Sequence, residues 1–243
     1  MPESYELEPE PTGPDLPGQV ALCPGPEEII DAVAADLFVQ ANACVREFGD
    51  FHLALSGGML VEKLFLRLMV DPLYRALPWT RTQLWVAADW SGSSDYGASE
   101  IVEEILRHHA GIPHSQIHTP VAGQAEAHAS YEQELLDTLG WREKGHDRLD
   151  FVVCGLDETE PMPGLGEDLA GGRLISRYRS GAGAERVSMT PLLVGGSRFI
   201  AILASGEACR VAVRAAADGG RGFEPVGGVQ KWYVDHAAMP EER

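Results

Sequence analysis

The segment that most constrains this chain is Phe51 to Leu55, five residues written Phe-His-Leu-Ala-Leu, followed at once by Ser56-Gly57-Gly58. Beyond the glycines, Leu60, Leu64, Phe65, Leu68 and Met69 recur at helical spacing. A short apolar run, a tight glycine turn and an amphipathic helix make one βα unit, and a parallel strand needs such a crossover. Asp150 to Gly155, with Phe-Val-Val-Cys at its centre, repeats the apolar pattern of a strand buried on both faces. Further strands are expected at Val20–Leu22, Gln83–Ala88, Arg173–Tyr178, Arg186–Thr190, Arg198–Ala204 and Val229–Val234. Helices are expected from Pro26 through Val45, over Tyr96–His108, over Ala125–Leu139 and over Glu207–Ala217. Strands alternate with helices for most of the chain, so the fold class is α/β: a doubly wound, mostly parallel sheet of Rossmann type with helices on both faces.

Residues 1–19 carry five prolines among five acidic residues and cannot pack a core of their own. They read as an acidic, Pro-rich tail, disordered or draped on the body, and residues 20–243 as a single domain. The formal net charge of −18 opposes a nucleic-acid partner. It also opposes small anions, so a phosphate site would need helix N–H groups and a few arginines to override the field. The longest strongly apolar run, about Phe199 to Ala204, is far too short to cross a bilayer, so no membrane partner is expected. The acidic start Met-Pro-Glu-Ser-Tyr-Glu does not read as a secretory leader. Cys23, Cys44, Cys154 and Cys209 are far apart and sit mostly in apolar patterns, as buried reduced thiols do. A cytoplasmic protein without a metal site is expected.

In open parallel sheets the ligand sits outside the carboxyl ends of the strands. Ser56–Gly58, Ala88–Tyr96, Gly155–Gly172 and the residues from Ser205 meet that condition. Glycines between a strand and a helix let backbone approach an anion while helix N–H groups point at it; the alternative is an ordinary tight turn.

Phe51 to Gly58 resembles the phosphate-loop segment of the 6-phosphogluconolactonases. Similar matches follow in order: Arg186-Val-Ser-Met-Thr190, Phe199-Ile-Ala-Ile-Leu-Ala-Ser-Gly-Glu207 and Lys231-Trp-Tyr-Val-Asp-His-Ala-Ala238. The resemblance, from about residue 20 to the end, implies the fold shared with glucosamine-6-phosphate isomerases. It also implies a phosphorylated sugar or sugar lactone as ligand and requires no cofactor. Ser56, Gly57, Gly58, Arg186 and Arg210 are the phosphate-binding candidates, and the alternative for each arginine is a surface salt bridge.

The match fails where the family does its chemistry. After the strand equivalent to Asp150–Gly155 the family has Asp-Gly-His-Thr-Ala-Ser, whose histidine is the general acid/base; here the loop is Gly155-Leu-Asp-Glu-Thr-Glu-Pro-Met-Pro-Gly164. The family's Asp-Glu-Arg becomes Asp89-Trp90-Ser91, its Thr-Pro becomes Leu60-Val61, and its lysine falls at Cys209 beside Arg210. His146, His108, His109, His114 and His118 are expected on the far side of the sheet, with His52 at the start of a strand and His128 inside a helix. His236, just past the last strand, stays open. Asp157, with Glu158 and Glu160 beside it, is the candidate base, against a solvated acidic loop; Asp89 occupies the acid position of the isomerase branch, against a structural cap. Trp90 is placed to stack on a sugar or simply to pack.

Three functions follow: a 6-phosphogluconolactonase with weak or lost activity, a non-catalytic sugar-phosphate-binding or regulatory module, and an aldose–ketose isomerase using Asp89. The oligomeric state is left open.

Overall fold

The computed structural model describes residues 13–90, 97–120, 126–156, 172–179, 185–219 and 225–240. Strand β1 (Gln19–Cys23) leads into α1 (Pro26–Phe48), which starts on Pro26 with Glu27 and Glu28 in its first turn, a sequence suited to the positive end of the helix dipole. Then come β2 (Phe51–Leu55), α2 (Met59–Val70), β3 (Thr82–Val86) and β4 (Ala88–Trp90). The next helix is α3 (Ala98–Glu100), a π-helical stretch Ile101–Leu106 and α4 (Arg107–His109). Strand β5 (Ile117–His118), α5 (Ala127–Leu139), β6 (Phe151–Gly155), β7 (Ile175–Arg179) and β8 (Glu185–Met189) follow. The chain closes with α6 (Pro191–Gly195), β9 (Phe199–Ala204), α7 (Arg210–Ala217) and β10 (Val229–Asp235).

Seven strands form one parallel sheet in the order β1-β10-β9-β6-β2-β3-β5. Phe51–Leu55 and Phe151–Gly155 lie at its centre, as their apolar continuity predicts. One face carries α1 and α2 over Leu53, Leu55, Val153 and Leu203; the other carries α5 and α7 over Ala54, Trp85, Val152 and Ile202. Alternate residues of each strand therefore serve opposite cores, which is why these runs have no polar face.

Two expected strands fall elsewhere. The strand read as Gln83–Ala88 ends at Val86 and bends at Ala87, whose N–H still donates to the Leu55 carbonyl (2.7 Å). Beyond that bend β4 leaves the main sheet and joins an antiparallel one, β4-β8-β7. No helical pattern separates β7 from β8, so nothing supports a parallel crossover between them. Their mixed composition, Ile-Ser-Arg-Tyr-Arg and Glu-Arg-Val-Ser-Met, suits a sheet packed on one face only.

His118 also departs from expectation. It is not on a helix flank at the far side but in β5, level with Trp85 of β3. Its ring stacks on Trp85 (centroids 3.8 Å apart) and bonds to Glu134 (2.6 Å) and Gln83 (2.8 Å). Of the residues placed in the tail, 1–12 lie outside the described residues. Leu16 is buried among Trp232 and its neighbours, and the Pro17 carbonyl accepts from the Trp232 indole (3.0 Å) and the Gln230 amide (2.7 Å).

At the amino edge of the sheet, the fully buried Asp150 binds Arg142 (2.7 Å), Arg198 (3.0 Å) and the His52 backbone N–H (2.8 Å). Arg142 reaches on to Asp50, and Arg198 to His146 (2.6 Å). His146 is thus committed at the end opposite the carboxyl edge, as its sequence position predicts.

Candidate functional site

From β2 the chain runs outward to β3 and β5, returns to β6, and then runs the other way to β9 and β10. The strand order therefore reverses between β2 and β6, and the crevice over their carboxyl ends is the position where open α/β sheets receive ligands. Ser56–Gly58 and Gly155 meet there. The Ser56 N–H donates to the Val153 carbonyl (2.9 Å), and its hydroxyl accepts from the Gly155 N–H (2.9 Å) while donating to the Gly57 carbonyl (3.0 Å). That hydroxyl pins two strand ends together, so what the turn offers outward is its backbone. Gly58 stands at φ +122°, ψ 145°, a region essentially closed to L side chains, and no side chain caps α2 there. Gly58 therefore offers the first N–H groups of α2 no side-chain acceptor. A Cβ on Gly155 would lie 3.0 Å from the Gly57 carbonyl oxygen and 3.0 Å from Val61 Cγ2, so the close approach favours glycine on the β6 side, whereas at Gly58 a Cβ would meet Gly155 Cα only at 3.9 Å and it is the positive φ that calls for glycine.

The remaining candidates lie around this point. Arg210 opens α7, and its guanidinium donates to the Ala237 carbonyl (2.8 Å) and pairs with Glu207 (3.2 Å). Two strand spacings, roughly 10 Å, separate β9 from β2, so Arg210 flanks the glycine turn at a distance. Asp235, buried at the end of β10, accepts from the Gly206 N–H (3.1 Å) and the Ala238 N–H (2.8 Å) and takes a hydrogen bond from Ser205, fixing that rim. In the small sheet the register sets Asp89 opposite Val187 and Trp90 opposite Arg186, so β4 and β8 bring these positions side by side beyond the bend at Ala87. Asp157, Glu158 and Glu160 lie outside the described residues.

The histidines divide by place. His52 is fully buried: its Nδ1 accepts from the Trp85 indole (3.2 Å), so Nε2 carries the hydrogen facing Asp50 (3.2 Å), and the ring is a satisfied core group. His236 is exposed at the carboxyl end of β10. His128, set aside as a residue inside a helix, lies in the first turn of α5; that helix follows β5 and so begins at the carboxyl edge. Its Nδ1 is buried and has no hydrogen-bond partner among the described residues. The signal was available in the order strand, then helix start, which outweighs membership of a helix.

All four cysteines are free and buried. The Cys154 thiol, just before Gly155, is pushed up to about 12 by burial, which leaves no thiolate nucleophile at neutral pH. Among the described residues no three His, Cys, Asp or Glu side chains converge as a metal site requires, and no helix is long and apolar enough to cross a membrane.

A seven-stranded parallel sheet between two helical layers, with glycine-lined strand ends at its reversal point, defines the doubly wound, Rossmann-type α/β class. Within that class the chain belongs to the glucosamine-6-phosphate isomerases/6-phosphogluconolactonase family, whose model matches residues 24–158, more than half of the chain. It is 26% identical over 232 residues to the human GDH/6PGL endoplasmic bifunctional protein, covering 88% of this chain and 29% of the length of that protein. The chain therefore spans under a third of that curated relative. The crystal structure of 6-phosphogluconolactonase from Thermotoga maritima superposes with a TM-score of 0.73 at 17% identity, covering 89% of this chain and 99% of the other. A monomeric glucosamine-6-phosphate deaminase superposes with a TM-score of 0.72 at 16% identity, covering 90% of this chain and 98% of the other. Both likenesses show the fold alone, and their near-equal scores leave the choice between the two chemistries to the site.

Proposed function

We propose that this chain binds a phosphorylated sugar lactone, or the sugar acid it yields, at the carboxyl edge of β2 and β6, and hydrolyses the lactone more slowly than family members with the loop histidine. The observation that carries this reading is the glycine-opened, uncapped N-terminus of α2 at the reversal point. Those N–H groups are the local donors that a chain of net charge −18 needs to hold a phosphate against its own field. Family membership supports the sugar. Arg186 and Arg210, on the small sheet and the β9 rim, are the side chains assigned to strengthen the phosphate contact.

Calorimetric titration with 6-phosphogluconate, and with gluconate as the phosphate-free control, tests the reading. Binding of the first and not the second is expected, with affinity reduced at least about tenfold in Gly58→Ala, where a Cβ at positive φ must turn the loop away. Absence of 6-phosphogluconate binding at millimolar concentration would overturn it.

The second reading, a module that binds without turnover, is favoured by one observation: the segment Gly155–Gly164 carries no histidine. Lactone hydrolysis above a no-protein blank separates the two, because the lactone also opens unaided.

A further inference from the structure

The outer face of the helical layer formed by α1 and α2 carries an exposed apolar patch. On α2 and the turn after it, Leu66 (43% exposed), Val70 (71%) and Leu73 (68%) stand clear of the core, and on α1 Val39 (60%) does the same. Two contacts show that they belong together. Arg67 reaches across to Glu27 (2.6 Å) and Asp31, and the Phe38 and Tyr74 rings meet with centroids 6.1 Å apart. Arg67–Asp31 and Tyr74–Phe38 share an offset of 36 residues, so the two helices run parallel, with Leu66, Val70 and Leu73 level with residues 30–37 of α1. Val39 and Leu73 then flank the Phe38–Tyr74 contact on its solvent side.

We propose that this face is where two copies of the chain pair, their α1 helices antiparallel across a twofold axis that passes between Ala35 and Val39. The solvent face of α1 reads Glu28, Asp31, Ala35, Val39, Asn42 and Arg46, all exposed and all at helical spacing. Acid stands at its amino end, base at its carboxyl end, and Ala35 and Val39 lie between. Reversing one copy against the other sets Glu28 opposite Arg46 of the partner subunit and Ala35 opposite the partner subunit's Val39. An isologous contact must be self-complementary in this way. The same polarity runs over both helices. Glu27 and Asp31 share one arginine at the amino end, where Glu62 and Lys63 offset each other; at the other end Arg46, Arg75 and Arg81 outnumber Glu47 and Asp71, Arg81 being tied to the Gly49 carbonyl that ends α1 (2.8 Å). A chain of net charge −18 repels its own copy over most of its surface, and a face with a cationic end offers a place where it can dock.

The area matches what such a contact needs. Glu28 to Arg46 spans about 27 Å along the helix, and two packed helices present a strip roughly 20 Å wide, on the order of 500 Å² on each copy and about 1,000 Å² for the pair. A specific interface begins at that size, and a dimer in the micromolar range fits it better than an obligate one. Reversing the helices also turns the carboxyl edges of the two sheets in opposite directions, so each crevice over β2 and β6 stays open. The pairing therefore stands apart from the ligand reading.

Sedimentation velocity on the full chain from about 1 to 200 µM tests the proposal, and a monomer–dimer equilibrium is expected. Val39→Glu combined with Val70→Glu should weaken it at least about tenfold, because it places charge at the desolvated centre. Charge exchange reads the register. Glu28→Arg lowers the net negative charge and so relieves overall repulsion, yet it should weaken pairing about fivefold, since each dimer then holds two Arg–Arg contacts. Arg46→Glu should do the same through two Glu–Glu contacts, and the double variant Glu28→Arg/Arg46→Glu should restore wild-type association within about twofold. Wild type that stays monomeric at about 200 µM overturns the proposal and leaves the face to another occupant. A dimer that survives Val39→Glu with Val70→Glu overturns it too, as do single charge variants that pair normally or a double variant that does not recover. All four substituted side chains are exposed, and thermal melting of the same samples checks that the variants fold. Should they not fold, hydroxyl-radical labelling of wild type decides: Val39, Val70 and Leu73 become protected as concentration rises, and labelling that does not change overturns the assignment.

Discussion

Adding one methyl group to Gly155 tests the geometry of the crevice directly. In Gly155→Ala the new Cβ lies 3.0 Å from both the Gly57 oxygen and Val61 Cγ2, tight enough that each neighbour must give by a few tenths of an ångström. Val61 is fully buried and the Gly57 carbonyl is held by the Ser56 hydroxyl, so neither yields freely. Relief requires β2 and β6 to part at their ends, stretching the 2.9 Å bond from the Gly155 N–H to Ser56. Overpacking of this kind costs about 1–3 kcal/mol, and the weakened hydrogen bond about 1 kcal/mol more. A loss of about 2–4 kcal/mol corresponds to a drop in Tm of about 4–16 °C for a domain of this size, which leaves the protein folded at room temperature. Because the strain falls on the turn that opens α2, affinity for 6-phosphogluconate is expected to fall as well, by about tenfold. Urea denaturation and calorimetry on the same preparation read both effects. An unchanged midpoint with unchanged affinity would refute the close approach of the two strand ends. Loss of stability with intact affinity would refute the placement of the ligand at this turn.

Two further outcomes are expected at the other levels of the fold. Asp150→Asn leaves Arg142 and Arg198 partly buried without their shared anion and should cost about 3–5 kcal/mol by denaturation, with no direct effect on a ligand at the opposite edge; an unchanged midpoint would refute the ion cluster as a structural staple. His118 is held below its ordinary value of 6.5 by burial, against the opposing pull of Glu134. The unfolded chain therefore takes up its proton first, and stability falls as pH drops from about 6.5 towards the depressed folded value. His118→Gln should flatten the denaturation midpoint across that window. It should leave intact the separate loss below 3.8, where Asp50 acts: burial raises the Asp50 carboxyl, but its bonds to His52 and Arg142 outweigh this and hold it low. An equal slope in wild type and variant between pH 6.5 and 5 would refute the buried, neutral assignment of His118.

The amino-acid order alone determined the central elements of this protein. Phe51–Leu55, Phe151–Gly155 and Phe199–Ala204 are apolar at every position except His52 because both faces of a parallel sheet are covered, and α1 is legible because one helical stripe must meet that sheet. The glycine turn at Ser56–Gly58 was legible for the same local reason: a strand and a helix can be joined that tightly only by residues without Cβ constraints. Pairing over long sequence separations was not legible. That β4 leaves the main sheet at Ala87, that β7 and β8 pair antiparallel with it, and that His118 stacks on Trp85 are decided by which segments meet, and no local period records that. The same holds at the site. The sequence shows Ser56 beside two glycines, but only the packing of β2 on β6 turns its hydroxyl inward to the Gly155 N–H, 99 residues away. It shows His128 in a helix, whereas the seating of Tyr131 and Glu132 against the ends of β3 and β7 sets that first turn over the carboxyl edge. Local chemistry chose the elements; the side chains that meet at the crevice were chosen by the contacts between them.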